Sequence, residues 1–210
     1  MKERGIIFNG DMVRAILSGH KTQTRRIVKP QPDEDGLARL RGGPWMDTSE
    51  KIYRCPFGEI GDRLYVRETV HAKELESGLD VVCYPADQAE IPIKAHPLDA
   101  GLWIDLYRYR GGEGKIVPSI HMPRWASRIL LDTTDVRVER LNDISEEDAR
   151  AEGVEQLRGG YWRHYQPGWT QHQLSARGSF ATIWKSIYGE ENWASNPWCW
   201  VIEFRRIEGD

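Results

Sequence analysis

The residue types with the most chemistry in them fall within eight positions, Gly19-His20-Lys21-Thr22-Gln23-Thr24-Arg25-Arg26. A lysine three positions before a threonine supplies a base beside a hydroxyl nucleophile, provided that the backbone turns between them. In a flat strand Lys21 and Thr24 would face opposite sides, because side chains alternate. Convergence therefore needs a helical turn or a bulge around Thr22-Gln23, and Gly19 is placed to let the chain turn. For Lys21 to accept a proton it must also be desolvated or sit beside another cation, which Arg25 or Arg26 supplies. The fork of donors on Arg26 suits a carbonyl oxygen or a phosphate. The alternatives are a solvated loop and, for Arg26, an arginine that bridges strands.

These residues must be held by the elements around them. Ile6-Ile7-Phe8 reads as a short apolar strand. Asp11 then caps a helix whose apolar positions Met12, Val13, Ile16 and Leu17 follow helical spacing, and Gly19 ends it. Regular structure stops at Pro30-Gln31-Pro32, and residues 33–57 read as an excursion outside the core. Alternation at 64–70, and apolar runs at 81–84, 127–131, 135–141 and 198–204, predict strands. Ser145 caps a short acidic helix closed by Gly153, and Phe180, Ile183, Trp184 and Ile187 form the stripe of a longer one. The loop-rich stretches 85–115 and 158–178 read as further insertions. Many strands with few short helices predict an α+β chain, a β-barrel with helices at its rim, folded as one domain over 1–210.

Composition bounds the function. The chain has 210 residues, 40% hydrophobic and 29% charged, as in an ordinary globular protein. No apolar run is long enough to cross a bilayer and no signal-peptide core follows Met1, so the expected location is cytoplasmic, without a membrane partner. Cys55, Cys83 and Cys199 form no C-x-x-C pair and the six histidines form no ligand motif, so no metal or other cofactor is expected. A net charge of −3 argues against a non-specific nucleic-acid coat. The local excess of cations at Arg4, Arg14, Lys21, Arg25, Arg26 and Lys29 still suits a small anionic ligand or a short stretch of RNA. Of the nine tryptophans, Trp125 in Met122-Pro123-Arg124-Trp125 is the stacking candidate, with Arg124 beside it for phosphate. Tyr84 and His71 are secondary candidates for a pocket wall.

Gly19, Lys21, Thr24 and Arg26 stand in the pattern G-x-K-x-x-T-x-R, which resembles the signature of ASCH domains, small PUA-like β-barrels associated with RNA. The G-D-x-L-x-V-R-E stretch from Gly61 to Glu68, the helix from Ile144 to Gly153 and the closing Trp200–Phe204 strand support it. The chain looks like the larger branch of that family found in bacteriophages. One bacterial branch is an N4-acetylcytidine amidohydrolase with a lysine base, a threonine nucleophile and a glutamate acid. Carried over, these roles fall on Lys21, Thr24 and Glu152. The resemblance then implies a hydrolase that removes an acyl group from the exocyclic amine of a cytosine nucleoside. Arg25, Arg26, Glu68, Arg124 and Trp125 would surround the substrate. A non-catalytic RNA- or nucleotide-binding module and a ribonuclease are the alternatives. Glu68 competes with Glu152 as the acid, but its place beside Arg67 at the end of a strand favours an Arg67–Glu68 surface pair.

Overall fold

A computed structural model describes residues 1–41, 44–78, 80–93, 106 and 116–207. The strands are β1 (Glu3–Ile7), β2 (Gln23–Ile27), β3 (Ala38–Arg39), β4 (Trp45–Met46), β5 (Ile52–Tyr53), β6 (Arg63–Arg67), β7 (Val70–Glu74), β8 (Asp80–Tyr84), β9 (Ala89–Pro92), β10 (Ile116–Val117), β11 (Leu130–Arg140) and β12 (Trp198–Ile207). The helices are α1 (Gly10–Leu17), α2 (Glu146–Ala151), α3 (Ala176–Tyr188) and α4 (Glu190–Ala194). The chain is thus mixed α+β, mostly strands in several sheets with few helices. No described helix is long and apolar enough to cross a membrane.

The main sheet runs β1-β6-β11-β12-β2. β1 pairs β6 in parallel and the other neighbours are antiparallel. A closed barrel would need its edges, β1 and β2, to pair with each other. Among the described residues they do not, and the sheet is open. Two smaller sheets, β10-β7-β8-β9 and β3-β4-β5, flank it.

The long antiparallel pair of β11 and β12 is the spine of the sheet. The two strands expected at 127–131 and 135–141 are one strand, β11, which passes through a bulge between Thr133 and Asp135. The bulge absorbs the polar Thr133-Thr134 step that breaks the apolar pattern. Ile6, Phe8, Ile16, Leu64, Leu131, Trp200 and Ile202 form the main core. Tyr53 and Cys55 also belong to it, so the 33–57 stretch is not an excursion. A second cluster, with Leu141, Ile144, Trp162, Phe180, Trp184 and Cys199, sits under α2 and α3. Trp162 comes from the 158–178 insertion, which therefore also reaches the interior. Most of the 85–115 stretch lies outside the described residues.

One expectation about α1 needs adjustment. Its cap is Asn9, whose side chain accepts from the Met12 backbone N–H. Asp11 stands inside the first turn instead, where its charge suits the helix dipole. The Ser145 cap of α2 is as expected, with its hydroxyl accepting from the Asp148 N–H.

Candidate functional site

The GHKTQTRR motif leaves α1 through Gly19, whose φ of +77° belongs to the left-handed region that glycine adopts freely. The Lys21 N–H then donates to the Ala15 carbonyl at 2.9 Å, folding the chain back on the helix. Lys21 forms an antiparallel bridge with Glu152, and the Thr22 N–H donates to the Ala151 carbonyl at 2.8 Å. The end of α1 and the end of α2 are thereby tied together through the motif.

Gly153 makes this approach possible. Its φ is +85°, and a Cβ there would stand 2.7 Å from the Lys21 Cβ and 2.9 Å from that of Ala15. Any side chain would force the two segments apart.

Beneath the bridge lies a buried ionic network. The Lys21 ammonium donates to Glu152 Oε2 at 2.8 Å, the Glu152 carbonyl at 2.9 Å and the Gln23 carbonyl at 2.7 Å. Its three donors are all engaged. The Lys21 side chain is 0% exposed and that of Glu152 4%. Arg25, equally buried, reaches Glu152 Oε1 at 3.4 Å, Glu139 at 2.8 Å and Asp148 at 3.2 Å. Arg137 extends the network to Glu139, Asp148 and Glu203, and also donates to Gln23 Oε1.

Burial pushes Lys21 below its ordinary lysine value, the Glu152 carboxylate opposes that shift, and Arg26 and Arg25 add to it. Burial pushes Asp148 up, but Arg25, Ser145 and Arg137 outweigh it and hold its carboxyl below the ordinary range.

The remaining sequence candidates are placed as follows. Lys21 and Glu152 meet, as the site requires. Thr24 pairs with Ile202 of the main core. Directly opposed residues share a face, so Thr24 points with Ile202, and Gln23 and Arg25 point the other way. Thr24 is buried and is not among the hydrogen-bond partners of the Lys21 ammonium. No bulge or helical turn separates the two, because β2 begins at Gln23. Arg26 lies over the rings of Phe8 and Phe57 and donates to the Ile7 carbonyl.

Glu68 forms no surface pair with Arg67. It is 2% exposed and holds Arg128 at 2.9 and 3.1 Å, because the turn between β6 and β7 carries it inward. Arg124 pairs with Glu3, and Trp125 packs on the cluster around Val70 and Tyr84. Tyr84 is a buried member of that cluster, and His71 faces Cys83 across β7 and β8. None of these residues lines the main cavity.

That cavity, of about 890 Å3, opens on the other side of the bridge. Gly19, Thr22, Ala151 and Gly153 belong to its lining, which makes the tied segments its floor. Arg14, Arg150 and Arg163 supply its positive charge, Asp11 and Glu155 its negative charge, and His20, Trp162 and Tyr165 its rings. Arg14 is engaged by Asp11 and the Ala86 carbonyl, and Arg163 by Glu155 at 2.9 Å. Arg150 stands 5.7 Å from the Trp162 ring centre and has no carboxylate partner among the described residues. A smaller recess of about 70 Å3, lined by Asn9, Met12, Glu152, Gly153 and Tyr165, reaches towards the ion pair.

The sequence pointed to the motif but not to this wall. Arg14 was visible in the N-terminal excess of cations. Arg163 and Tyr165 lie in a segment without periodicity, and nothing local marks them as facing α1. Searches of family models, curated proteins and solved structures found no match to this chain.

Proposed function

We propose that the chain is a nucleotide-binding module whose pocket is the 890 Å3 cavity between α1, α2 and the 153–165 segment. The observation that carries this is the convergence of Arg14, Arg150 and Arg163 with His20, Trp162 and Tyr165 on one cavity floored by the motif. The volume falls within the range of small-molecule sites, roughly 300–1,000 Å3. Guanidinium groups suit phosphate oxygens, and their planes also accept a stacked base. Arg150, with no carboxylate partner among the described residues, is the arginine assigned to the phosphate. The buried ions below the floor then act as scaffold, holding the motif against α2. Kinship with the PUA-like barrels belongs to the same proposal: it rests on the motif and on the α+β sheet with helices beside it.

Calorimetric titration with cytidine monophosphate and with cytidine tests this reading. The monophosphate is expected to bind more tightly than the nucleoside. Arg150→Ala should weaken monophosphate binding about tenfold, as loss of a charge-assisted contact does. Equal affinity of the monophosphate for both proteins would remove Arg150 from the site, and absence of any binding would end the proposal.

A second reading, the amidohydrolase, is favoured by the lowered Lys21 value and its contact with Glu152. There the proton shared by the pair rests on Glu152, and the neutral Lys21 amine leaves its acceptors to take the Thr24 proton while the hydroxyl oxygen attacks the acyl carbonyl. Glu152 protonates the departing amine, and water releases the acyl group from Thr24. That route requires the burial around Thr24 to open for substrate. Release of cytidine from N4-acetylcytidine, lost in Thr24→Ala, would establish it. Absence of release alongside saturable nucleotide binding would leave the binding module.

A further inference from the structure

The segment that walls the cavity carries a second feature, outside the motif. A shallower cavity of about 340 Å3 is lined by Glu155, Leu157, Arg163, His164, Trp169 and His172, among others. It shares Glu155 and Arg163 with the main cavity, so Arg163 stands between the two. His164 and Trp169 are stacked here, with ring centres 5.1 Å apart and planes 11° from parallel. Trp169 nevertheless remains 58% exposed. Beside it Tyr161, 46% exposed, lies 6.0 Å from the ring of His172.

A tryptophan left this far out of the core forgoes the burial that its ring favours. The excursion that presents it is nevertheless anchored. Trp162 and Gln173 exchange two backbone hydrogen bonds, of 2.9 and 2.8 Å, across its base. The Ser179 hydroxyl donates to the Arg163 carbonyl, and the Tyr165 N–H donates to the Thr182 hydroxyl at 3.0 Å, which ties the near side of the loop to α3. Flat rings held at an opening, with a guanidinium between them and a neighbouring pocket, form the arrangement that holds successive bases of a single strand. Stacking of this kind tolerates any base, because every base presents a π-face.

We propose that the ligand of this site is a single-stranded oligonucleotide rather than a lone nucleotide. One nucleotide occupies the main cavity, the next base stacks on the His164–Trp169 pair, and the phosphate joining them sits at Arg163, where it displaces the exposed pairing with Glu155. The inference rests on the nucleotide-binding reading above. A peptide is the less favoured occupant, because the shared boundary offers a cation to a phosphodiester and the exposed platform is aromatic.

The test compares cytidine monophosphate with a single-stranded pentacytidylate on the full chain and on Trp169→Ala, by calorimetry or anisotropy. The platform predicts that the pentamer binds at least about tenfold more tightly than the monophosphate. Trp169→Ala should remove most of that advantage while leaving monophosphate affinity unchanged, and Trp169→Phe should keep much of it. Equal affinities for the two ligands, or a pentamer affinity indifferent to Trp169→Ala, would overturn this inference alone. Failure of both ligands to bind would overturn the nucleotide-binding reading and this inference with it.

Discussion

Lys21 has three acceptors and a fully buried side chain, an arrangement that makes it costly to remove and difficult to replace. Truncation of one partner in a buried pair leaves the other charge without compensation. Lys21→Met should therefore destabilise the fold by about 3–5 kcal/mol, read as a fall in the midpoint of urea denaturation. Replacing both partners, Lys21→Met with Glu152→Leu, should recover part of that loss, because an apolar pair leaves no unpaired carboxylate. If the double variant is no more stable than the single one, Arg25 rather than Lys21 is the essential partner of Glu152. At this scale the sequence was informative about identity and less so about direction. That Lys21 and Glu152 belong together was implied only by the resemblance, which assigns both to one site. The inward course of Glu68 could not be anticipated, since its partner, Arg128, lies 60 positions away.

The elements show why some were legible and others were not. α3 was, in its body and end, because its apolar stripe follows a single period and stops at Gly189; its Ser175 cap and first residues fall inside the stretch read as an insertion. β2 was not, although it lies in the main sheet. One of its faces meets the ionic network and the other meets the core through Thr24, so the strand reads as polar throughout. Period-2 patterning is informative only where one face is wet. The cap of α1 offers a direct check at this scale. Asn9→Ala removes the acceptor for the Met12 N–H and should cost about 1 kcal/mol, whereas Asp11→Ala should cost less, since Asp11 caps nothing. Thermal denaturation of the two variants separates these roles, and the opposite ranking would restore Asp11 as the cap.

For the molecule as a whole, carboxylates set the response to acid. Asp62 accepts from the Lys2 backbone N–H, Asp87 from the Arg128 guanidinium, and Asp148 lies between Arg25 and Arg137; all three are held below the ordinary 3.8. A group depressed in the folded state binds fewer protons there than in the unfolded chain. The stability it contributes is present above the ordinary value and is lost as pH falls through the folded one. Denaturation midpoints should therefore fall as pH drops below about 4, and Asp148→Asn should make that fall shallower. An unchanged acid profile in Asp148→Asn would mean that the other carboxylates dominate. The class of fold was legible from the number of strands and short helices. The openness of the sheet was not, because strand order depends on pairings between distant segments that leave no local pattern.

One of those pairings has a consequence for how the protein comes into being. β12 lies between β11 and β2, so the strand that carries Arg25 waits for a partner about 170–180 positions further along the chain, as in Ile27 with Cys199 and Gln23 with Glu203. Until then β2 is a bare edge, open to pairing with any other extended chain. Arg25 and Arg26 within it, and Lys21 just before it, guard that edge while it waits, because charges along an unpaired strand discourage wrong partners. In the folded chain Arg25 and the neighbouring Lys21 are buried and paired with Glu152, Asp148 and Glu139. The charges that would discourage wrong partners on the unpaired strand are thus the same ones that anchor it in the folded protein.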